Sequence, residues 1–328
     1  MVRAIQIIGH KGEGMVKGLI SEQAAGYAAG KFRESLPFFG GRKEEIASFT
    51  GGLYGDEKVL MEFLYGTMPI CDAADCDPKL LHSYVKHALF LRREIPWTRE
   101  LPEDIFFNYV LYHRVNNEDI TDCRPWFYGM LMPLVEGADC GEAVRRVNYW
   151  CARQAAYTAS DGRTLSPVGV YNSGSGRCGE ESTFLVTALR SIGIAARQVY
   201  TPRWAHCDDN HAWVEARVGD SWCFLGACEP EEVLNKGWFT NASSRAMMVH
   251  TRVFSDYQSS EAKEREEITE RDGAALFYND TAFYARTARL TVAVRDEKGA
   301  PAAGAKVSFE LLNYAEFFPI STLYTGED

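Results

Sequence analysis

The residues of this chain whose types could carry covalent chemistry gather in two short stretches. One is Tyr171-Asn-Ser-Gly-Ser-Gly-Arg-Cys-Gly-Glu-Glu-Ser182 and the other is His206-Cys-Asp-Asp-Asn-His-Ala-Trp-Val-Glu215. A thiol becomes a good nucleophile when it ionises, and the partial positive charge at a helix N-terminus lowers its pKa. Downstream of Cys178, Phe184, Leu185, Ala188, Leu189 and Ile192 recur at helical spacing, and Gly193 falls where a left-handed cap is wanted. Cys178 is therefore expected on the first turn of a helix, where the dipole lowers its pKa while Glu180 and Glu181 in the same turn tend to raise it. Gly174 and Gly176 leave the approach to it uncrowded.

The histidine needs an element that holds it beside that helix. Ile194 to Thr201 reads as a strand. From His211 onward Ala212, Val214, Ala216 and Val218 alternate with Trp213, Glu215 and Arg217, which is strand spacing with one apolar face. Gly219-Asp220 is a two-residue hairpin turn that returns Ser221 to Gly226 antiparallel to the histidine strand. An imidazole within reach of the thiol takes its proton and later gives it to a leaving amine.

Arg177-Cys178-Gly179-Glu180-Glu181-Ser182, then Ser191-Ile-Gly-Ile-Ala-Ala-Arg197, His211-Ala-Trp-Val-Glu215 and Trp222 resemble the core of the transglutaminase-like superfamily. That group includes transglutaminases, peptide N-glycanases and bacterial cysteine peptidases. The likeness covers roughly residues 140 to 240 and implies a papain-like Cys-His-Asp arrangement, with Cys178 attacking and His211 acting as base and then acid. The sequence departs from the pattern at the third position. The return strand of the family usually ends in an aspartate that orients the histidine, and here Gly226 takes that place in Leu225-Gly-Ala-Cys-Glu-Pro230. Glu229 is the expected substitute, brought back by a bulge or turn. Asp208 and Asp209 are rivals on the loop before His211.

Other residues complete the expected site. Arg177 is placed either against a substrate carboxylate or in an ion pair with Glu180 or Glu181. Trp204, with Tyr200, Trp213, Trp222 and Trp238, either lines a substrate groove or belongs to the core. An oxyanion hole needs two donors, the backbone N–H of Cys178 and a side chain such as Asn172, Gln154 or Tyr157. His206, Cys207, Cys223 and Cys228 lack the paired spacing of a structural zinc site. No cofactor is expected.

The elements around this core read as an α+β chain. Residues 1 to 135 are expected to form a mainly helical region. Within it two short helices flank Gly51-Gly52, Asp77-Pro78 caps a longer one, and residues 1 to 40 are expected to be dispensable to the core. His82 and His87 lie off the apolar stripe of that capped helix and are expected in solvent. Gly9 to Gly14 reads as a turn, since the strand and helix of a phosphate loop are missing around it. Residues 136 to 257 form the expected catalytic core, with Asp139 capping its first helix and Asp161-Gly162 making a turn. Residues 258 to 285 are expected to be a charged linker. Residues 286 to 328, with alternating runs at Arg289–Arg295 and Ala305–Leu311, resemble the start of an immunoglobulin-like β-sandwich of the carboxypeptidase-regulatory type.

With 328 residues and 46% hydrophobic content, the chain is long enough for two or three domains. A net charge of −10 argues against a nucleic-acid partner. Nine cysteines without regular spacing fit a reducing compartment, and the N-terminal stretch as written has no signal-peptide pattern, so a cytoplasmic, non-membrane protein is expected. An exported form remains open if residues precede Met1. These readings converge on a cysteine-dependent amide hydrolase acting on peptide or protein substrates. A cross-linking acyl transferase and a non-catalytic binding module are the alternatives.

Overall fold

The computed structural model describes residues 18–159, 163–259 and 268–326. Its centre is the helix Cys178–Ser191, thirteen of whose fourteen residues are buried, packed against an antiparallel sheet. Gly193 closes that helix with a φ of +84°, the left-handed turn that glycine adopts without steric cost.

The sheet has six strands: β1 (Ala196–Thr201), β2 (His211–Val218), β3 (Ser221–Leu225), β4 (His250–Val253), β5 (Ile268–Asp272) and β6 (Ala275–Asn279). Their spatial order is β3-β2-β1-β4-β6-β5, antiparallel throughout. Register pairs Thr201 with His211 and Val218 with Ser221, so the two-residue turn at Gly219-Asp220 forms as its sequence predicts. The helix Cys140–Gln154, capped by Asp139, packs behind the cysteine helix. Its amphipathic pattern buries Ala143, Val144, Val147 and Cys151.

β5 and β6 correct the expected linker over residues 258–285. Thr269, Leu276, Phe277 and Tyr278 are buried in the sheet, and Tyr284 hydrogen-bonds both Trp213 and Glu215. Charge in the preceding residues masks a short strand whose apolar side faces inward. The part of that linker at 260–267, the turn at Asp161-Gly162 and Gly9 to Gly14 lie outside the described residues.

The N-terminal helices pack on the outer end of this sheet. The first, Glu22–Ser35, is not dispensable in this architecture. Ala24 and Ala28 are fully buried, and Gly66 lies so close to Lys31 and Phe32 that a Cβ there would sit 2.7 Å from the Phe32 amide. Tyr27 packs against Tyr257 with ring centroids 4.9 Å apart and donates to Asp256. His87 is buried as well, with Nε2 2.8 Å from the Ser191 carbonyl, while His82 meets Glu57. A short apolar run read without its neighbours hides such tertiary contacts.

At the C-terminal end, Lys306–Asn313 and Glu316–Tyr324 form a two-stranded hairpin, β7 and β8. Residues 289–295 are exposed except for half-buried Val294, and among the described residues they pair only at an Arg295–Pro301 bridge, where the Val294 carbonyl accepts from Ala302. The resemblance to a sandwich is therefore limited here to one hairpin. It docks on the core through Ser321, which donates to the Thr269 carbonyl, and Asn313, which donates to the Trp204 and Cys207 carbonyls.

Candidate active site

The loop that presents Cys178 is fixed by the glutamate two residues beyond it. Glu180 is fully buried, and its carboxylate accepts from the backbone N–H groups of Leu165 (2.8 Å) and Arg177 (3.0 Å). Just upstream, Pro167–Ser173 is a short helix capped by Gly174 at a φ of +68°, so the stretch read as a loop begins helical. Gln198 on β1 pins the other side of the cysteine turn, donating to the Gly179 carbonyl (3.0 Å) and to Ser182 (2.7 Å). Cys178 therefore stands on the first turn of its helix, as its spacing predicts.

Two cavities meet at this cysteine. One, of about 640 Å³, is lined by Cys178, Glu181, Asp209, His211, Glu229 and Trp238. The other, of about 340 Å³, lies on the side of Gln198, Arg252 and His250, and Phe318 to Ile320 of the C-terminal hairpin form part of its wall. Cys178 and His211 thus share the larger cavity.

The electrostatics differ from the simplest expectation. The N–H groups of Ala212 and Gly179 and the Arg177 charge all favour a thiolate, yet burial is the largest influence and raises the Cys178 pKa. Burial likewise pushes His211 down to about 4, against the charge of Asp209. No hydrogen bond joins the thiol to the imidazole among the described residues. The resting pair is therefore neutral thiol and neutral imidazole, and desolvation outweighs the lowering that the helix start supplies.

His211 is enclosed by rings. Trp238 lies at 4.7 Å, Phe239 at 5.1 Å and Trp213 at 5.8 Å between centroids, and Nε2 is buried without a hydrogen-bond partner. The wall behind it is stiff. Trp213 donates to Tyr284, and Arg197 pairs with Glu215 at 2.7 Å and with Asp280 at 2.9 Å while lying 4.3 Å over the Trp222 ring.

Glu229 comes back to the site through a tight turn. Cys228 takes a φ of +57°, and the Glu229 N–H returns to the Gly226 carbonyl. The glutamate then fills the space a side chain at 226 would need, since a Cβ there would lie 2.8 Å from Glu229 Oε2. Its carboxylate does not bond His211. It accepts from Trp238 Nε1 at 2.9 Å, and Trp238 in turn covers the imidazole. The expected direct contact is replaced by one through an indole.

Other expected residues fall as follows. Arg177 lines both cavities, but its guanidinium donates to the Arg163 carbonyl and Thr164 instead of pairing with Glu180 or Glu181. Trp204 is 3% exposed, lines neither cavity and stacks parallel to Trp213, so it is a core residue; the exposed Trp238 takes the groove position. Of the oxyanion candidates, Tyr157 reaches the larger cavity, whereas Asn172 and Gln154 line neither. The Ala212 N–H, directly after the histidine, is a donor that reading side chains alone had missed. Among the described residues no group of three His, Cys, Asp or Glu side chains is placed to hold a metal ion, and no helix is long and apolar enough to cross a membrane.

Residues 134–227 match the family model described as the transglutaminase-like superfamily. This segment is similar to the core of that superfamily. Its bounds enclose the cysteine helix, the histidine strand and the return strand of the hairpin, and leave Glu229 and Trp238 just outside. Among solved structures, a proposed cysteine protease from Cytophaga hutchinsonii is similar at 13% identity and a TM-score of 0.34, over 58% of this chain and 68% of that one. No curated protein matches the chain. The transglutaminase-like segment supports a cysteine-dependent enzyme in general.

Proposed function

We propose that the chain is a cysteine-dependent amide hydrolase that works through an acyl-enzyme at Cys178. The observation that carries this reading is the shared cavity, which a nucleophilic thiol at a helix start and an unpartnered buried imidazole both line. In this mechanism His211 takes the Cys178 proton as Sγ attacks the carbonyl. The developing oxyanion is met by N–H groups at the start of the cysteine helix, and His211 then protonates the leaving amine. Water resolves the acyl-enzyme. Because both groups rest neutral, proton transfer accompanies attack instead of preceding it.

The test is acylation by p-nitrophenyl acetate, followed by intact-mass and peptide mass spectrometry. Acetyl should accumulate on Cys178, and His211→Ala should slow its appearance roughly a hundredfold, the scale of general-base assistance. Equal rates in parent and His211→Ala, or label spread over the other cysteines, would leave Cys178 an ordinary buried thiol and favour a binding role.

A further inference from the structure

The larger cavity holds a carboxyl group that the proposed chemistry does not use. Glu181 stands one helical turn beyond Cys178 and is 3% exposed; it lines the cavity, and no hydrogen bond or ion pair holds its carboxyl among the described residues. Burial and the neighbouring Glu229 and Glu180 push it up to about 8. A carboxyl set this deep in a cavity wall without a protein partner is costly to keep ionised. Its neighbour Glu180, equally buried, has two backbone donors and serves the loop. Glu181 has no such structural duty.

The surroundings say what would satisfy it. Glu229 and Asp209 line the same cavity, and Trp238, 62% exposed, offers an indole whose N–H is already spent on Glu229. Arg177, the one Arg or Lys on the wall among the described residues, is turned to the Arg163 carbonyl and Thr164. Carboxyl groups beside an aromatic face are the usual means of holding an ammonium or guanidinium. The second cavity at Cys178 is different in kind. It is walled by Arg252, Asn116 and Gln198, and His211 does not line it.

Because His211 protonates the leaving nitrogen, the leaving amine occupies the cavity that His211 lines. Building on the proposed acyl-enzyme chemistry, we infer that Glu181 and Glu229 form a subsite for a positively charged group on the amine side of the scissile amide. The substrate's leaving portion then carries an ammonium or guanidinium beyond the reacting nitrogen. The acyl portion lies in the smaller cavity. An incoming amine acceptor with such a charge would use the same subsite.

Three acetyl thioesters with leaving thiols of similar size test this on the full chain: S-acetylthiocholine (cationic), S-propyl thioacetate (neutral) and S-(2-sulfonatoethyl) thioacetate (anionic). In each, the Cys178 sulfur attacks the thioester carbonyl, the acetyl group passes to Cys178, the C–S bond to the leaving thiol breaks, and the Cys178 proton passes through His211 to that thiol. The rate at Cys178, located by mass spectrometry, should follow the order cation, neutral, anion, with a cation-to-neutral ratio of roughly tenfold. Glu181→Gln should cut that ratio at least threefold, and Glu229→Gln gives a second reading should the first variant fold poorly. A ratio near one, or a ratio that falls as much in Asp209→Asn as in both glutamate variants, would overturn the subsite and leave only diffuse acidity. The neutral reagent separates this from the chemistry beneath it. A neutral rate that drops in His211→Ala upholds the nucleophile even if the charge preference is absent, and no reaction at Cys178 with any reagent overturns both.

Discussion

Glu181→Gln should change the pH dependence of stability in a direction opposite to most carboxylate substitutions. Glu181 is raised from 4.5 to about 8 in the folded protein, by burial first and by Glu229 and Glu180 second. Between those two values the unfolded chain has released a proton that the folded chain still holds. Stability therefore falls as pH rises through that window, and the loss is complete above pH 8. Between pH 5 and pH 8.5 the linkage amounts to about 4 kcal/mol, an upper figure because Glu229 titrates in the same cavity. A glutamine removes this slope. Its buried amide costs about 1–3 kcal/mol if unpaired, so the variant should be equal to or less stable than the parent at pH 5 and more stable at pH 8.5. Urea unfolding of both proteins at both pH values gives the double difference, in which every titration common to the two cancels. Parallel pH profiles for parent and variant would refute the placement of Glu181 as a buried, unpaired carboxyl.

Two further changes probe the walls of the site. Arg197→Met strands Glu215 and Asp280 without their buried cation and should cost about 3–5 kcal/mol in urea unfolding; a loss under 1 kcal/mol would mean that this network does not brace the histidine strand. Gly226→Ala drives a Cβ into Glu229 and should destabilise by about 1–3 kcal/mol while slowing acylation of Cys178, and adding Glu229→Ala should recover at least half of the stability. Additive losses in the double variant would show that the two positions do not compete for one space.

The cysteine helix, the strand at His211 and its two-residue turn were legible because each rests on local pattern: apolar positions at helical spacing, strict alternation, Gly219-Asp220. What escaped depends on contacts between distant residues. His87 lies off its helix's apolar stripe, yet a carbonyl more than a hundred positions away takes it into the interior. β5 and β6 follow a charged stretch and declare themselves only through pairing, β6 with β4 and β5 with β6. Trp204 and Trp238 are chemically alike in sequence, and only tertiary position sends one to the core and the other to the cavity. The sign of the Cys178 shift was illegible for a related reason. A helix start can be read from spacing, but the depth of burial that outweighs it cannot.

The departure at Gly226 is best understood together with Glu229. A side chain at 226 and the carboxyl of Glu229 occupy the same volume, so the glycine is the condition for the glutamate's return, and the left-handed turn at Cys228 is its backbone cost. The exchange alters the chemistry. An acid bonded directly to an imidazole fixes its tautomer and raises its basicity. Glu229 instead spends its bond on Trp238 and acts on His211 through the position of a ring, leaving Nε2 without a partner and the imidazole near 4. A base so weak at rest gains strength from negative charge nearby. Ionisation of Glu181 and Glu229 in the same cavity supplies such charge, and an ammonium bound to them would hold them ionised while offsetting part of that effect. The same two carboxyls thus tie recognition of the amine side to the basicity of His211, which makes Glu181→Gln the variant in which both should move together.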